Sequence, residues 1–189
     1  CQAASWLAPL GDLRLSVNIT AGDAGRRDYA VSLFAILDDC GFDPRRLTVE
    51  VTETELIENL DDASHMLANL RGSGVRVALD DFGTGYSSLL YLKALPLDSI
   101  KIDRRLTRDI AGSPRDRVVV AGTIGMARAL GLEVVAEGVE ADEQLRLLRD
   151  EGCDLYQGYL CAPPLDAKAL AEQVDAIECG AAKAATAKK

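Results

Sequence analysis

The stretch Val75-Arg76-Val77-Ala78-Leu79-Asp80-Asp81-Phe82-Gly83-Thr84-Gly85-Tyr86-Ser87-Ser88-Leu89 is a β-branched run that closes on two acids, passes a glycine-spaced turn and opens into a helical pattern. A strand that ends on charge and hands over directly to a helix reads as one βα unit of a parallel sheet. The same reading recurs on either side of it. Strand-like runs lie at Leu13–Ile19, Leu47–Thr52, Val75–Asp80, Ser99–Asp103, Glu133–Ala136 and Leu155–Leu160. Between them Leu60, Ala63, Leu67 and Leu70 share a helical face that stops at Gly72 and Gly74. Ser113-Pro114 opens a further helix from Arg115 to Leu130, with Ser113 as N-cap and Pro114 at the first helical position.

Measured between Val17, Glu50, Asp80, Lys101, Val135 and Gln157, the steps are 33, 30, 21, 34 and 22 residues, the lengths of βα units. Strict alternation, with strands apolar nearly throughout, predicts a parallel sheet covered on both faces by other structure. An open doubly wound sheet and a (β/α)8 barrel both satisfy that pattern. The polar residues separate them, because a barrel gathers function at the C-terminal ends of many strands, whereas an open sheet confines it to a switch point. Here the strands end in Asn18, Glu50, Asp80 and Asp81, Lys101 and Asp103, Glu137 and Gln157. The prediction is an α/β fold, a TIM-like (β/α)8 barrel of which this chain supplies about six C-terminal βα units. Eight such units need roughly 225 residues, so two are expected before Cys1, where the chain starts Cys1-Gln2-Ala3-Ala4-Ser5-Trp6 without a Met. Residues 1–178 are read as the partial barrel, with a last helix over Asp166–Ile177, and 179–189 as an Ala/Lys-rich, disordered tail.

The chain has 189 residues, 48% apolar, with 21 Lys plus Arg against 30 Asp plus Glu, a formal charge of -9. That balance argues against a DNA or RNA polymer or an anionic membrane as partner. The sequence carries no apolar run of membrane length and no signal-peptide pattern at its start, which suggests a cytoplasmic protein. Five scattered cysteines, without a C-x-x-C pair, are expected to be reduced and buried. His65, among Asp61, Asp62 and Asn69, reads as part of a solvated helix face, and Trp6 as packing against the barrel wall.

Side chains two apart on a strand share a face, so Asn18, Glu50, Asp80, Lys101, Glu137 and Gln157 are predicted to ring one cavity. Carboxylates held together repel and protonate unless a cation joins them. An all-oxygen set selects a hard divalent ion, Mg2+ or Mn2+, over Zn2+. The adjacent pair Asp80-Asp81 suits two ions, one carboxylate bridging while its neighbour, at a fraying strand end, reaches the second. Two ions clamp a phosphoryl group and activate a water. Lys101 is then placed to orient that water, or to accept its proton if the metals lower its pKa. The loop Gly83-Thr84-Gly85 either cradles a phosphate with its backbone N–H groups or is a tight βα turn capped by serine.

Taken together, Ser16-Val17-Asn18-Ile19, Glu50-Val51-Thr52-Glu53, Asp80 to Leu89, Lys101-Ile102-Asp103, Ala136-Glu137-Gly138-Val139-Glu140, Gln157-Gly158-Tyr159 and Pro163-Pro164-Leu165 resemble the EAL-domain family of bacterial cyclic di-GMP phosphodiesterases. The resemblance runs from about Cys1 to Gln173. It implies a TIM-like barrel that hydrolyses cyclic di-GMP to pGpG with two Mg2+ or Mn2+ ions. Carried over by position, Asn18, Glu50 and Asp80 resemble ligands of the first ion, and Asp80, Asp81 and Glu137 those of the second. Lys101 resembles the residue that holds the attacking water, and Gln157 one that orients water or phosphate. Glu53 resembles the support of the loop after Asp81, which links dimerisation to activity, and Asp103 and Glu140 resemble residues that support the ligands or touch substrate. The resemblance also implies a homodimer within a longer multidomain signalling protein. The Glu-Ala-Leu signature that names the family does not occur in this sequence and would fall in the two units expected before Cys1. Because six strands cannot close an eight-stranded barrel, the 189 residues alone are expected to be poorly soluble or to self-associate, and to be inactive. The alternative function is a non-catalytic cyclic di-GMP receptor.

Overall fold

A computed structural model describes residues 2–7, 13–24, 26, 28–52, 60–83 and 89–174. Six strands, β1 (Leu15–Asn18), β2 (Leu47–Thr52), β3 (Arg76–Phe82), β4 (Ser99–Ile102), β5 (Glu133–Ala136) and β6 (Leu155–Tyr156), form one sheet in chain order. Every neighbouring pair is parallel. Helix α1 (Gln2–Leu7) precedes β1; α2 (Ala21–Ala24) and α3 (Tyr29–Asp39) link β1 to β2. Next come α4 (Leu60–Gly72), α5 (Leu89–Ala94), α6 (Arg104–Thr107), α7 (Pro114–Ala129) and α8 (Asp142–Asp150), with α9 over 167–174. A doubly wound sheet reverses its strand order at a switch point. This order never reverses. Crossovers of one hand then keep the helices on one side and curl the sheet, giving six strands of a TIM-like barrel.

Strand alternation sorts the two faces. Val49 and Val51, Val77 and Leu79, Ile100 and Ile102, and Val134 and Ala136 are all buried in one apolar core. That core is shared with Ala63, Met66, Leu67 and Leu70 of α4 and with Val120, Ile124 and Ala127 of α7. The alternate residues Thr48, Glu50, Arg76, Ser99, Lys101 and Glu133 line a single concave pocket on the other face. The expectation of strands apolar on both faces is therefore corrected: the inner face is polar. There Arg76 of β3 reaches over β4 to Glu133 of β5, N to O 2.7 Å. The small side chain of Ser99, on the strand between, leaves room for that pair.

The α7 start matches its sequence signal, with the Ser113 hydroxyl accepting from the Asp116 amide at 3.2 Å and Pro114 first in the helix. The sixth strand is shorter than expected. Cys161 N–H bonds Gly158 O at 3.0 Å, so the chain turns directly after Tyr156 and Gln157 follows the strand instead of lying on it. His65 is exposed, and Trp6 packs half-buried on the core. Cys40 and Cys153 are half-buried, but Cys161, on that same turn, is exposed, against expectation. The tail at 179–189 and the end of the last expected helix, 175–177, lie outside the described residues.

Candidate active site

The C-terminal ends of β2 to β5 converge on the ammonium group of Lys101. Its Nζ lies 2.7 Å from Glu50 Oε2, 3.1 Å from Asp80 Oδ1 and 2.7 Å from Glu137 Oε1. Burial works against the charge on Lys101, but the hydrogen bonds to Glu137 and Glu50 outweigh it and hold its pKa above the ordinary lysine value. Burial also raises the Glu137 carboxyl above its ordinary value, against the pull of Lys101.

Asp81 joins this group through a distortion of β3. Leu79 pairs with Ile100 and Phe82 with Ile102, so β3 spends one residue more than β4 over the same span. That extra residue is a β-bulge. Asp81 sits in it with φ at 55°, the non-glycine residue in left-handed backbone among those described. Consecutive residues of a regular strand point to opposite faces; the bulge instead lets both acids serve one side, where Asp80, Asp81 and Glu137 each offer an oxygen within 4.8 Å of the others. The fraying strand end invoked from sequence is thus a built bulge, closed by the Asp81 amide donating to Asp80 Oδ1 at 2.9 Å. Burial, Asp80 and Asp103 push the Asp81 carboxyl up.

Asp103 is buried and caps α6, accepting from the Arg105 amide at 2.8 Å and from Arg105 Nε at 2.9 Å. Burial pushes its carboxyl up, but those bonds and one to Asp81 outweigh it and leave it low. Asn18 is the register neighbour of Glu50 on the edge strand, with an exposed side chain. Gln157 follows β6, its amide donating to Ala136 O at 2.8 Å and its carbonyl accepting from Val139 N at 3.1 Å. This close approach requires Gly158, where an added Cβ would overlap the Val139 backbone. Gln157 and Glu140 line a second pocket beside Glu137. Gly83 stands at φ 98° at the end of β3. Glu53, Thr84 and Gly85 lie outside the described residues. Arg104, which sequence reasoning did not single out, lines the same pocket as Glu137 and Gln157, together with Tyr159 of the Gln157-Gly158-Tyr159 run; the sequence signal for Arg104 was its adjacency to Lys101-Ile102-Asp103.

The oxygen donors of Glu50, Asp80, Asp81 and Glu137 fit hard divalent cations, and the protonated Lys101 neutralises part of the same charge. The family profile described as EAL domain matches residues 1–164. The chain belongs to the EAL domain family. This EAL domain is 45% identical over 170 residues to the cyclic di-GMP phosphodiesterase NbdA of Pseudomonas aeruginosa, covering 90% of the chain and 22% of that protein. It therefore spans about a fifth of the length of that curated relative. Among solved structures, the PaMucR phosphodiesterase in complex with cyclic di-GMP superposes with a TM-score of 0.83 at 34% identity, over 89% of this chain and 70% of that one. The manganese and cyclic di-GMP complex of Klebsiella pneumoniae BlrP1 gives 0.78 at 38% identity, over 84% and 41%. No helix among the described residues is long and apolar enough to cross a membrane.

Proposed function

We propose that this EAL domain is the catalytic domain of a metal-dependent phosphodiesterase that hydrolyses cyclic di-GMP to linear pGpG. The observation that carries the reading is the convergence of Glu50, Asp80, Asp81 and Glu137 with Lys101 at strand ends of a barrel. Supporting it, PaMucR and BlrP1 are described with cyclic di-GMP, BlrP1 also with manganese.

In this reading Asn18, Glu50 and Asp80 would hold one Mg2+ or Mn2+ ion, and Asp80, Asp81 and Glu137 a second. Such a pair supplies phosphoryl polarisation and an activated water. The chain's own residues do the rest. With Glu50, Asp80 and Glu137 engaged as ligands, the Lys101 ammonium would be free to hold the attacking water and to offset charge that develops on the phosphoryl oxygens. Gln157 offers an amide to the same water or to phosphate, and Arg104 a guanidinium that suits an anionic ligand at the pocket mouth. The family resemblance extends the proposal to a cytoplasmic homodimer within a longer multidomain signalling protein.

The test is Mn2+-dependent release of pGpG by the full-length protein. Lys101→Ala should abolish release while cyclic di-GMP binding survives; turnover at the parent rate would remove Lys101 from the mechanism. Tight binding by the parent without turnover would instead favour the non-catalytic receptor.

A further inference from the structure

Glu137 is held through its backbone as well as its carboxylate. Its N–H donates to Ile102 O at 3.0 Å, and its carbonyl accepts from the hydroxyl of Thr107, a fully buried residue at the end of α6. Downstream of Glu137, the amides of Glu140 and Ala141 both donate to Oε1 of Gln144, each at 2.8 Å. From the other end of that side chain, Nε2 donates to Thr107 O at 3.1 Å and Arg108 O at 3.2 Å. Gln144 is 6% exposed, and all four of its amide's bonding positions are used. A residue in the first turn of a helix that caps its start needs only the acceptor. The donor half, spent on α6, is surplus to capping.

We propose that Gln144 and Thr107 are positioning residues that fix Glu137 for cation binding. Gln144 ties the last turn of α6 to the start of α8, and Thr107, on the turn so fixed, grips the Glu137 carbonyl. The Glu137 peptide is thereby pinned at both ends, so its carboxylate meets Asp80 and Asp81 from one direction. The inference rests on the reading of Glu137 as a cation ligand given above. Neither residue touches the carboxylate cluster, and both act through the backbone.

The test measures Mn2+ affinity of the full-length protein by electron paramagnetic resonance, beside melting in EDTA, for Thr107→Val, Thr107→Ser and Gln144→Glu. Removing a group that orients a metal ligand typically weakens binding 10- to 100-fold. Thr107→Val, which keeps shape and loses the hydroxyl, should weaken Mn2+ about tenfold. Thr107→Ser should restore it. Gln144→Glu, which keeps the acceptor and loses the donors, should fall with Thr107→Val. Parent affinity in Thr107→Val, or a loss that Thr107→Ser does not restore, would overturn the inference alone. A parent that binds no Mn2+ would overturn the reading of the site, and the inference with it.

Discussion

Lys101 is the counter-ion of a buried acidic cluster, so replacing it with methionine makes a prediction that can be worked through. The side chains concerned are 8% (Lys101), 10% (Glu50), 13% (Asp80) and 18% (Glu137) exposed. At an effective dielectric of about 20, each of these contacts is worth about 4 kcal/mol or more in Coulomb terms. Deleting the cation cannot cost the sum, because a carboxyl group will protonate first. Protonating one ordinary glutamate at pH 7 spans about 2.7 pH units at about 1.4 kcal/mol each, which caps the loss near 4 kcal/mol. Burial already holds Glu137 above its ordinary value, so the expected destabilisation is about 3 kcal/mol at pH 7. At pH 5 less than one unit remains, and the cost should fall to about 1 kcal/mol or below. The sign follows from linkage: the folded variant holds a proton that the unfolded chain releases, so its stability falls as pH climbs from about 4.5 to 7. Urea unfolding of parent and Lys101→Met in EDTA at the two pH values measures this directly. Mn2+ at 100 times its dissociation constant should then return about 2.7 kcal/mol. A destabilisation equal at pH 5 and pH 7, or one under about 1 kcal/mol at pH 7, would refute the counter-ion argument.

Three further predictions follow from the same geometry. Asp81 carries a left-handed φ of 55°, so Asp81→Gly should stabilise the EDTA-treated protein by about 1 kcal/mol while weakening Mn2+ binding; a drop in urea midpoint would contradict the strain. Gly158→Ala places a Cβ inside the Val139 backbone and should cost at least about 2 kcal/mol, visible as a lower melting temperature, with an unchanged melt counting against the close approach. Because the folded Glu137 carboxyl is raised above 4.5, parent stability relative to Glu137→Gln should fall as pH rises from 4.5 in EDTA, and a difference that grew with pH would reverse the assignment.

The parts of this fold that were legible in the sequence are those set by local chemistry. A β-branched run ending in acids marks β2 and β3, and a serine followed by proline marks the start of α7, because each signal lies within a few residues of what it specifies. The sheet order was accessible through the polar residues at the strand ends, since βα spacings of 21 to 34 residues fit a doubly wound sheet as well, and only polar residues closing nearly every strand select the barrel with its sequential order. What escaped depends on register between distant segments. The bulge that brings Asp80 and Asp81 to one side exists only against β4, and nothing in Asp-Asp-Phe-Gly announces it. The polar inner face below the strand ends was missed because Thr48, Arg76 and Glu133 sit between aliphatic neighbours and Ser99 leads into Ile100, so each strand still read as apolar. The Gln144 bridge joins residues 36 and 37 apart, and a glutamine near a helix start looks from sequence like an ordinary cap.

These failures share a cause with the proposed chemistry. A polar barrel interior holding several carboxylates is destabilising unless cations balance it, and at the cluster of Glu50, Asp80 and Glu137 the chain supplies a cation of its own, Lys101. The same ammonium is assigned to hold water during hydrolysis. In that reading, stability without metal and activity with metal would draw on one group and respond in opposite ways to a divalent ion, because with Mn2+ on the carboxylates Lys101 would lose its structural partners and be released to act on water. Thermal stability should then depend on Lys101 far less in Mn2+ than in EDTA, whereas turnover depends on it only in Mn2+. A Lys101→Met variant whose melting deficit is the same in both conditions would separate the two roles, and leave the lysine as a structural ion-pair partner that merely lies beside the site.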